Sequence, residues 1–484
     1  MAVPLTRYLA VGCLTPAAGT LDGVTHYDLA VIGTGSGNTI VDESFDGWKV
    51  AIVEKGVFGG TCLNRGCIPT KMFVYPADLA YDAGHSAPLG VDTSFEGARW
   101  REIRDRIFGR IDPISASGRE WRATGLPDVS LVEGHARFID PHTLDVASDT
   151  GVETITAEQV VIATGSRPTL PDVPGLDDVP FHTSDTVMRI DDVPPRVLVL
   201  GGGFVAAEFA HVFSSFGSAV TIVNRSSLML RAEDQEVAER FTEIARARWD
   251  VRLRTTITKV ERLDGSETGV RAQLDDGTTV EADLLLVAAG RRSNSDDLGL
   301  QQAGVAVDET GLVVVDDHQR TNVKGIWALG DVSNRFQLKH VSNNEARVIR
   351  HNLLHPTDLA SSDHVHVPSA VFSHPQVASI GLTEEDARER GVDVVVGRRD
   401  YSGTAYGWAM EDETSFAKVL ADPHSGLLLG AHIIGPQASN LIQPLVMAMS
   451  LGIPAHEVAR GQYWIHPAMT EVVENALLAL PLTP

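Results

Sequence analysis

The sequence predicts an α/β protein with two Rossmann-like dinucleotide-binding domains and a C-terminal α+β domain. Three observations carry that reading. Gly33-Thr34-Gly35-Ser36-Gly37 stands between an apolar run at 27–32 and a second at 49–53 that ends in Glu54. The pattern recurs at 196–200, Gly201-Gly202-Gly203 and 219–223. From about residue 362 no such glycine turn occurs, and short strand-like runs alternate with helical ones.

Bulk properties set the frame. With 484 residues the chain is too long for one ordinary core, so two to four domains are expected. It is 43% hydrophobic and 21% charged, ordinary for a globular protein. A net charge of −24 argues against nucleic acid or an anionic membrane as partner, because like charge repels phosphate. No apolar run approaches the ~18–20 residues that span a bilayer. Residues 1–25 are expected to be a disordered extension. Ala10-Val11-Gly12-Cys13 faintly resembles a lipoprotein cleavage site, but the apolar stretch before it is short and Arg7 is its only basic residue. A cytoplasmic location is expected.

The elements follow in order. The run at 27–32 reads as a buried strand entering a tight turn at Gly33. Gly35 lets a pyrophosphate approach the N-terminus of a following helix, and Glu54 can accept ribose hydroxyls. Asn38 occupies the third glycine position, so helix–strand packing there is expected to be looser. The second unit ends in Asn224-Arg225, with Arg231 close behind. An acid there binds a free 2′-hydroxyl and repels a 2′-phosphate; arginine does the opposite, so the second nucleotide is read as NADPH. Apolar strands at 160–166 and 284–290 end in small residues and return the chain from one unit to the other. Residues 325–331 form a strand that delivers Asp331 to the carboxyl edge of a sheet, where it can bind a flavin ribityl hydroxyl. Alternation around Asp275-Asp276-Gly277 predicts an antiparallel hairpin, and a similar meander is expected over 129–146. In the last domain, strands are expected at 367–373, 417–420 and 427–434, and helices at 383–391 and 441–451. Pro467 is expected in the first turn of a final helix, with His466 just before it.

Two of the three cysteines, Cys62 and Cys67, lie five positions apart in Gly59-Gly60-Thr61-Cys62-Leu63-Asn64-Arg65-Gly66-Cys67. A regular helix would hold their Cα atoms about 8.7 Å apart, whereas a disulfide needs roughly 4.4–6.8 Å. If the two bond, the helix must be irregular between them, and Gly66 permits it. Such a pair suits a bond that is made and broken. With one close pair and a distant Cys13, zinc is the weaker reading and no metal site is expected.

In this order these motifs resemble the flavin-dependent pyridine nucleotide–disulfide oxidoreductases, the group of glutathione reductase and dihydrolipoamide dehydrogenase. The resemblance rests on both glycine fingerprints, Cys-x4-Cys, the Gly-Asp strand, and His466-Pro467 with Glu471 five residues after the histidine; it covers about 26–480. It implies FAD and NADPH as cofactors, a small-molecule disulfide as substrate, and a homodimer whose active site is shared between subunits. The implied domains are FAD-binding at 26–167 and 293–361, NADPH-binding at 168–292, and an interface domain at 362–484. Cys62 would attack the substrate and Cys67 would lie against the flavin. Lys71 and Glu208 would pair near the flavin, and His466, held by Glu471, would be the acid/base from the partner subunit. Gly33, Gly35, Gly37, Glu54, Gly60, Thr61, Gly165, Gly330 and Asp331 would hold FAD. Gly201, Gly203, Phe204, Arg225, Arg231 and Gly290 would hold NADPH, with Phe204 covering the nicotinamide pocket. Arg65 stands where the family has a small apolar residue; it either lowers a thiolate pKa or points to solvent. A quinone reductase or a non-catalytic flavoprotein is disfavoured by the joint presence of Cys62, Cys67, His466 and Glu471.

Overall fold

The computed structural model describes residues 24–482. The expected disordered extension, Cys13 included, falls almost wholly outside that range; strand Thr25–Ile32 begins one residue inside it.

The first sheet is built on residues buried on both faces. Val129–Glu133, Val50–Glu54, Thr25–Ile32 and Gly151–Ile162 lie side by side and parallel. Ile326–Ala328 pairs in parallel with the end of Gly151–Ile162, which brings residues after 325 back to the first unit. Continuous apolar runs such as Val50 to Val53 suit strands covered on both sides. His135–Asp140 and Thr143–Ser148 extend this sheet as an antiparallel meander. Of the expected meander, Val129–Glu133 belongs instead to the parallel part, because it pairs with Val50–Glu54.

The second unit is a four-stranded parallel sheet of Asp250–Leu253, Ala219–Asn224, Arg196–Leu200 and Leu284–Val287. Beside it stands an antiparallel sheet of Ile257–Arg262, Val270–Leu274 and Thr279–Ala282. The expected hairpin turns at Gly277, whose φ is +83°. Two short strands, Ser166–Pro168 and Arg291–Ser293, pair antiparallel where the chain leaves and re-enters the first unit.

The C-terminal region is a five-stranded antiparallel sheet in the order Ser369–Val371, Val377–Gly381, Leu428–Ile434, Phe416–Ala421, Val395–Asp400. The expected helix at 383–391 is Glu384–Arg390, with Thr383 forming a capping box and Gly391 closing it in the left-handed region.

Two local expectations are corrected. The second glycine turn opens into a regular helix, Phe204–Ser215, but the first is followed only by 3-10 turns, Gly37–Thr39 and Glu43–Phe45. Buried Arg122 explains this. Its guanidinium donates to the carbonyls of Asn38 (2.6 Å) and Val41 (2.8 Å) and to Asn38 Oδ1 (2.8 Å), so carbonyls that would accept helical N–H groups are already taken. The final helix, Thr470–Leu478, starts three residues beyond Pro467. Ala468 N–H there donates to the Glu471 carboxylate at 3.4 Å, which ties the preceding turn to a side chain.

One buried charge joins the last sheet to the second unit. The Lys418 ammonium meets Asp234 at 2.9 Å, Glu236 at 3.0 Å and Glu384 at 3.1 Å. Asp234 is fully enclosed and also caps helix Gln235–Arg248 by accepting from Glu236 N–H. Lys418→Met strands those carboxylates, so a loss of about 3–5 kcal/mol is expected. It reads out as a lower urea midpoint; an unchanged midpoint would show that the ammonium does not hold the interface.

Candidate active site

The two cysteines flank a helix break. Helix Gly60–Asn64 ends at Arg65, and helix Cys67–His85 begins after Gly66, which has φ −134° and ψ −123°. A Cβ on Gly66 would stand 3.0 Å from the Thr61 carbonyl oxygen. The irregularity that the spacing demanded is therefore present, at the residue that allows it. Gly60, at φ +69°, lets this element press on the first glycine turn: a Cβ there would lie 2.6 Å from the Gly35 Cα. Cys62 is half-buried, and Cys67 opens to the cavity beyond it.

The protons on the pair are unequal. The hydrogen bond from Cys62, together with the positive charge of Lys71, pulls the Cys67 thiol down to about 7, against burial and the negative charge of Glu208. The Cys62 thiol is pushed up, by that same hydrogen bond, by burial and by the charge on Cys67; the Lys339 ammonium opposes the shift. The reduced pair thus holds one thiolate, at Cys67, and one proton, at Cys62. Lys71 Nζ reaches both Glu208 carboxylate oxygens, at 2.7 and 2.8 Å. Glu208 also accepts the Phe372 N–H at 2.9 Å.

A cavity of about 1040 Å³ runs past these groups. Gly33, Gly35, Glu54, Gly60, Thr61, Gly165, Gly330 and Asp331 line it, as do Lys71, Phe204 and Glu208. Gly33 is at φ +106°, and a Cβ there would be 2.4 Å from the Ala163 carbonyl oxygen; only glycine makes this turn. Gly37 packs on Ala163 and Val31 rather than on the cavity, and so does the packing work assigned to the Asn38 position. Glu54 accepts from Thr34 N–H at 2.9 Å and from Gly56 N–H at 2.8 Å, and Asp331 accepts from Ser166 Oγ at 2.6 Å. In the second turn a Cβ on Gly201 would be 2.2 Å from the Ala288 carbonyl oxygen, while the space around Gly203 and Gly290 is open. Arg225 and Arg231 are exposed, away from the cavity walls, and no carboxylate pairs with either among the described residues. Asn224 is used by its own loop, donating to the Leu228 carbonyl. His466 Nδ1 and Glu471 Oε1 are 2.6 Å apart, but neither lines the cavity, and the imidazole is 71% exposed.

The family model of the pyridine nucleotide-disulphide oxidoreductases matches residues 27–346, and the model of their dimerisation domain matches 367–477. The chain belongs to the pyridine nucleotide-disulphide oxidoreductases. It is 51% identical over 464 residues to the mycothione reductase of Mycobacterium tuberculosis, covering 94% of this chain and 99% of that one. It is 34% identical over 481 residues to a dihydrolipoyl dehydrogenase of Haloferax volcanii, covering 94% and 97%. Among solved structures, the Cu(II) complex of the HOCl-induced flavoprotein disulfide reductase RclA of Escherichia coli aligns with a TM-score of 0.83 at 30% identity, covering 94% of this chain and 99% of that one. As a member of this family the chain is an NAD(P)H-dependent flavoprotein disulfide reductase with FAD as its second cofactor. The glycine cradle at Gly33 and Gly60 and the volume of the cavity fit that flavin nucleotide. No described helix is long and apolar enough to cross a membrane.

Sequence reasoning missed two cavity residues and a buried one behind them. Lys339 Nζ donates to Ser36 Oγ on the first glycine turn at 2.8 Å. Arg291 Nε donates to Ser166 Oγ at 2.9 Å. Glu345 sits behind Gly330. None belongs to a local motif; the 303-residue separation of Lys339 and Ser36 shows why. Alkylation of the reduced protein should show one thiol titrating with an apparent pKa near 7 and a second titrating far higher. Lys71→Met should raise the first; an unmoved value would remove Lys71 from the thiolate's field.

Proposed function

We propose that this reductase uses NADPH to reduce mycothione, a small-molecule disulfide, as a cytoplasmic homodimer. The unequal protonation of Cys62 and Cys67 carries the reading of the chemistry, and the 51% relative supports the choice of substrate. Residues 32–40, 71–75, 108–114, 182–190, 204–213, 405–412 and 462–478 resemble mycothione reductase in sequence, and they include Lys71, Glu208, His466 and Glu471.

FAD, when bound, carries an electron pair from the reduced nicotinamide to the Cys62–Cys67 disulfide. Every other step belongs to the chain. Phe204, half-exposed on the cavity wall, covers the place of the nicotinamide ring, with Glu208 one helical turn on and paired to Lys71. Arg225 and Arg231, which no carboxylate pairs with among the described residues, meet a 2′-phosphate. Cys67 holds the thiolate, so Cys62 must give its proton to the neutral imidazole of His466 before it attacks. The attack forms a Cys62–substrate bond and breaks the substrate's S–S bond, releasing one thiolate. An imidazolium at His466 protonates that thiolate. In its own chain His466 lies off the cavity, so in this reading it serves the cavity of a second copy. Glu471 accepts from Nδ1–H, which leaves Nε2 to hold and give the proton. The Cys67 thiolate then attacks the Cys62 sulfur, restoring the disulfide and expelling the second half of the substrate as a thiolate, which takes its proton from solvent.

Turnover with mycothione, glutathione disulfide and lipoamide, each with NADPH and NADH, tests the reading. Mycothione with NADPH should give the highest kcat/KM; preference for lipoamide with the NAD couple would overturn it. Arg225→Glu should shift the NADPH:NADH ratio by about tenfold, the equivalent of ~1.4 kcal/mol. His466→Ala should slow disulfide turnover about 100-fold while NADPH still reduces the flavin at the wild-type rate. Equal slowing of both half-reactions would deny His466 its acid/base part.

A further inference from the structure

A run of cavity wall from Gly330 to Gln337 is organised by one carboxylate behind it. Glu345, on helix Lys339–Leu354, is fully enclosed. Its Oε2 accepts the Gly330 N–H at 2.6 Å, and both its oxygens accept from Asn334 Nδ2 at 3.0 Å. Asn334 Oδ1 in turn accepts the N–H groups of Phe336 at 3.0 Å and Gln337 at 3.3 Å. Asp331 lies inside this run, next to Gly330.

A carboxylate without exposure is costly unless a cation meets it. Among the described residues, the ionisable partner of Glu345 is His364, whose Nε2 is 2.7 Å from Oε1. His364 comes from the segment that leads into the C-terminal domain. It is held at φ +52°, where residues other than glycine are uncommon, and Asp363 Oδ1 braces the turn by accepting Val365 N–H. The left-handed backbone directs the imidazole inward.

We propose that Glu345 and His364 are a positioning pair for FAD: the imidazolium holds the carboxylate, which holds the Gly330–Gln337 run and so keeps Asp331 aimed at the flavin nucleotide. The pair touches neither cofactor nor substrate and acts through Asp331, so the inference rests on Asp331 as a ligand of FAD. The charged groups facing His364 are Glu345 on its helix, Asp363 on its own segment and Asp317 on the loop that packs against it; all three are acids. The hydrogen bond to Glu345 raises the imidazole above its ordinary 6.5, and the charges of Glu345, Asp363 and Asp317 add to this, against burial. The pair's contribution is therefore complete below 6.5 and fades as pH rises through the raised value.

The test is release of FAD from the holoenzyme, followed by the recovery of free-flavin fluorescence between pH 6 and 9. Wild-type release should quicken about tenfold across that range, the effect of one pKa unit of coupling. His364→Gln keeps a donor without the charge and should release FAD at the fast rate throughout. Glu345→Gln should also lose the pH dependence. A His364→Gln protein that follows the wild-type profile, or a Glu345→Gln protein that keeps it, would overturn the pairing. Asp331→Asn separates the two readings: if it leaves FAD retention unchanged, the ligand assignment fails, whatever the pair does. Disulfide turnover is not read, so the choice of substrate does not enter.

Discussion

The contact between Lys71 and Glu208 is the joint on which the three parts of this chain turn. Lys71 lies one helical turn from Cys67, and Glu208 one turn from Phe204 on the helix that opens from the second glycine turn. Glu208 is almost wholly enclosed and takes a third hydrogen bond from Phe372 in the C-terminal region. Lys71 Nζ also lies 4.8 Å from the centre of the Phe372 ring, which adds a cation–π contact. One ion pair thus fixes the cysteine helix, the nucleotide helix and the last domain to each other. A buried pair of this kind is weak evidence of net stability, since desolvation offsets its attraction. Its value here is positional: it sets a cation beside Cys67 and keeps Phe204 at the cavity.

From that joint follows an asymmetry in the sulfur pair. Lys71 lowers Cys67, Glu208 partly cancels it, and the hydrogen bond from Cys62 decides the balance. The same bond leaves Cys62 with the proton. A nucleophile that starts protonated needs a base, and the thiolate it displaces needs an acid. The cavity-lining imidazoles include His135 and His432, and His432 Nε2 is committed to the Leu382 carbonyl. His466, oriented by Glu471, is an exposed imidazole held by a carboxylate, on the last domain. The matched dimerisation domain supports a homodimer, and the exposed His466 imidazole is what the proposed mechanism draws on.

What could be read from sequence is what short-range sterics dictate. A Cβ on Gly33 or Gly201 would come within 2.4 Å of a carbonyl oxygen, so glycine there follows from local geometry. The helix break at Gly66 follows from the five-residue spacing and the length of a disulfide. The hairpin at Asp275-Asp276-Gly277 follows from turn chemistry. What could not be read depends on partners far along the chain. Arg122 replaces the expected helix after the first glycine turn from 84 residues away. Lys418 sits inside an apolar strand, and only the folded structure shows the three carboxylates that make this tolerable. Arg225 and Arg231 were legible as a pattern of charge; that neither meets a carboxylate among the described residues is visible only in the fold.

Arg65 shows how sequence proximity misleads about electrostatics. It is closer along the chain to both cysteines than Lys71 is to Cys62, and a guanidinium there could lower either thiol. Instead its NH1 turns to Asp185 Oδ2 at 3.4 Å, and both groups are partly exposed. Two unit charges 4 Å apart interact by about 4 kcal/mol at an effective dielectric of 20. An arginine already neighboured by a carboxylate presents a dipole, whose field falls faster with distance, and exposure screens what is left. The groups that shift Cys67 are accordingly Cys62, Lys71 and Glu208. Arg65 instead ties the cysteine turn to the Ser184-Asp185 segment. Ser184 in turn meets Arg291 at 3.4 Å, on a strand that links the two nucleotide units. A residue that departs from its family at the centre of the chemistry thus acts as a strut between domains, and the thiolate is left to a lysine on the next turn of helix.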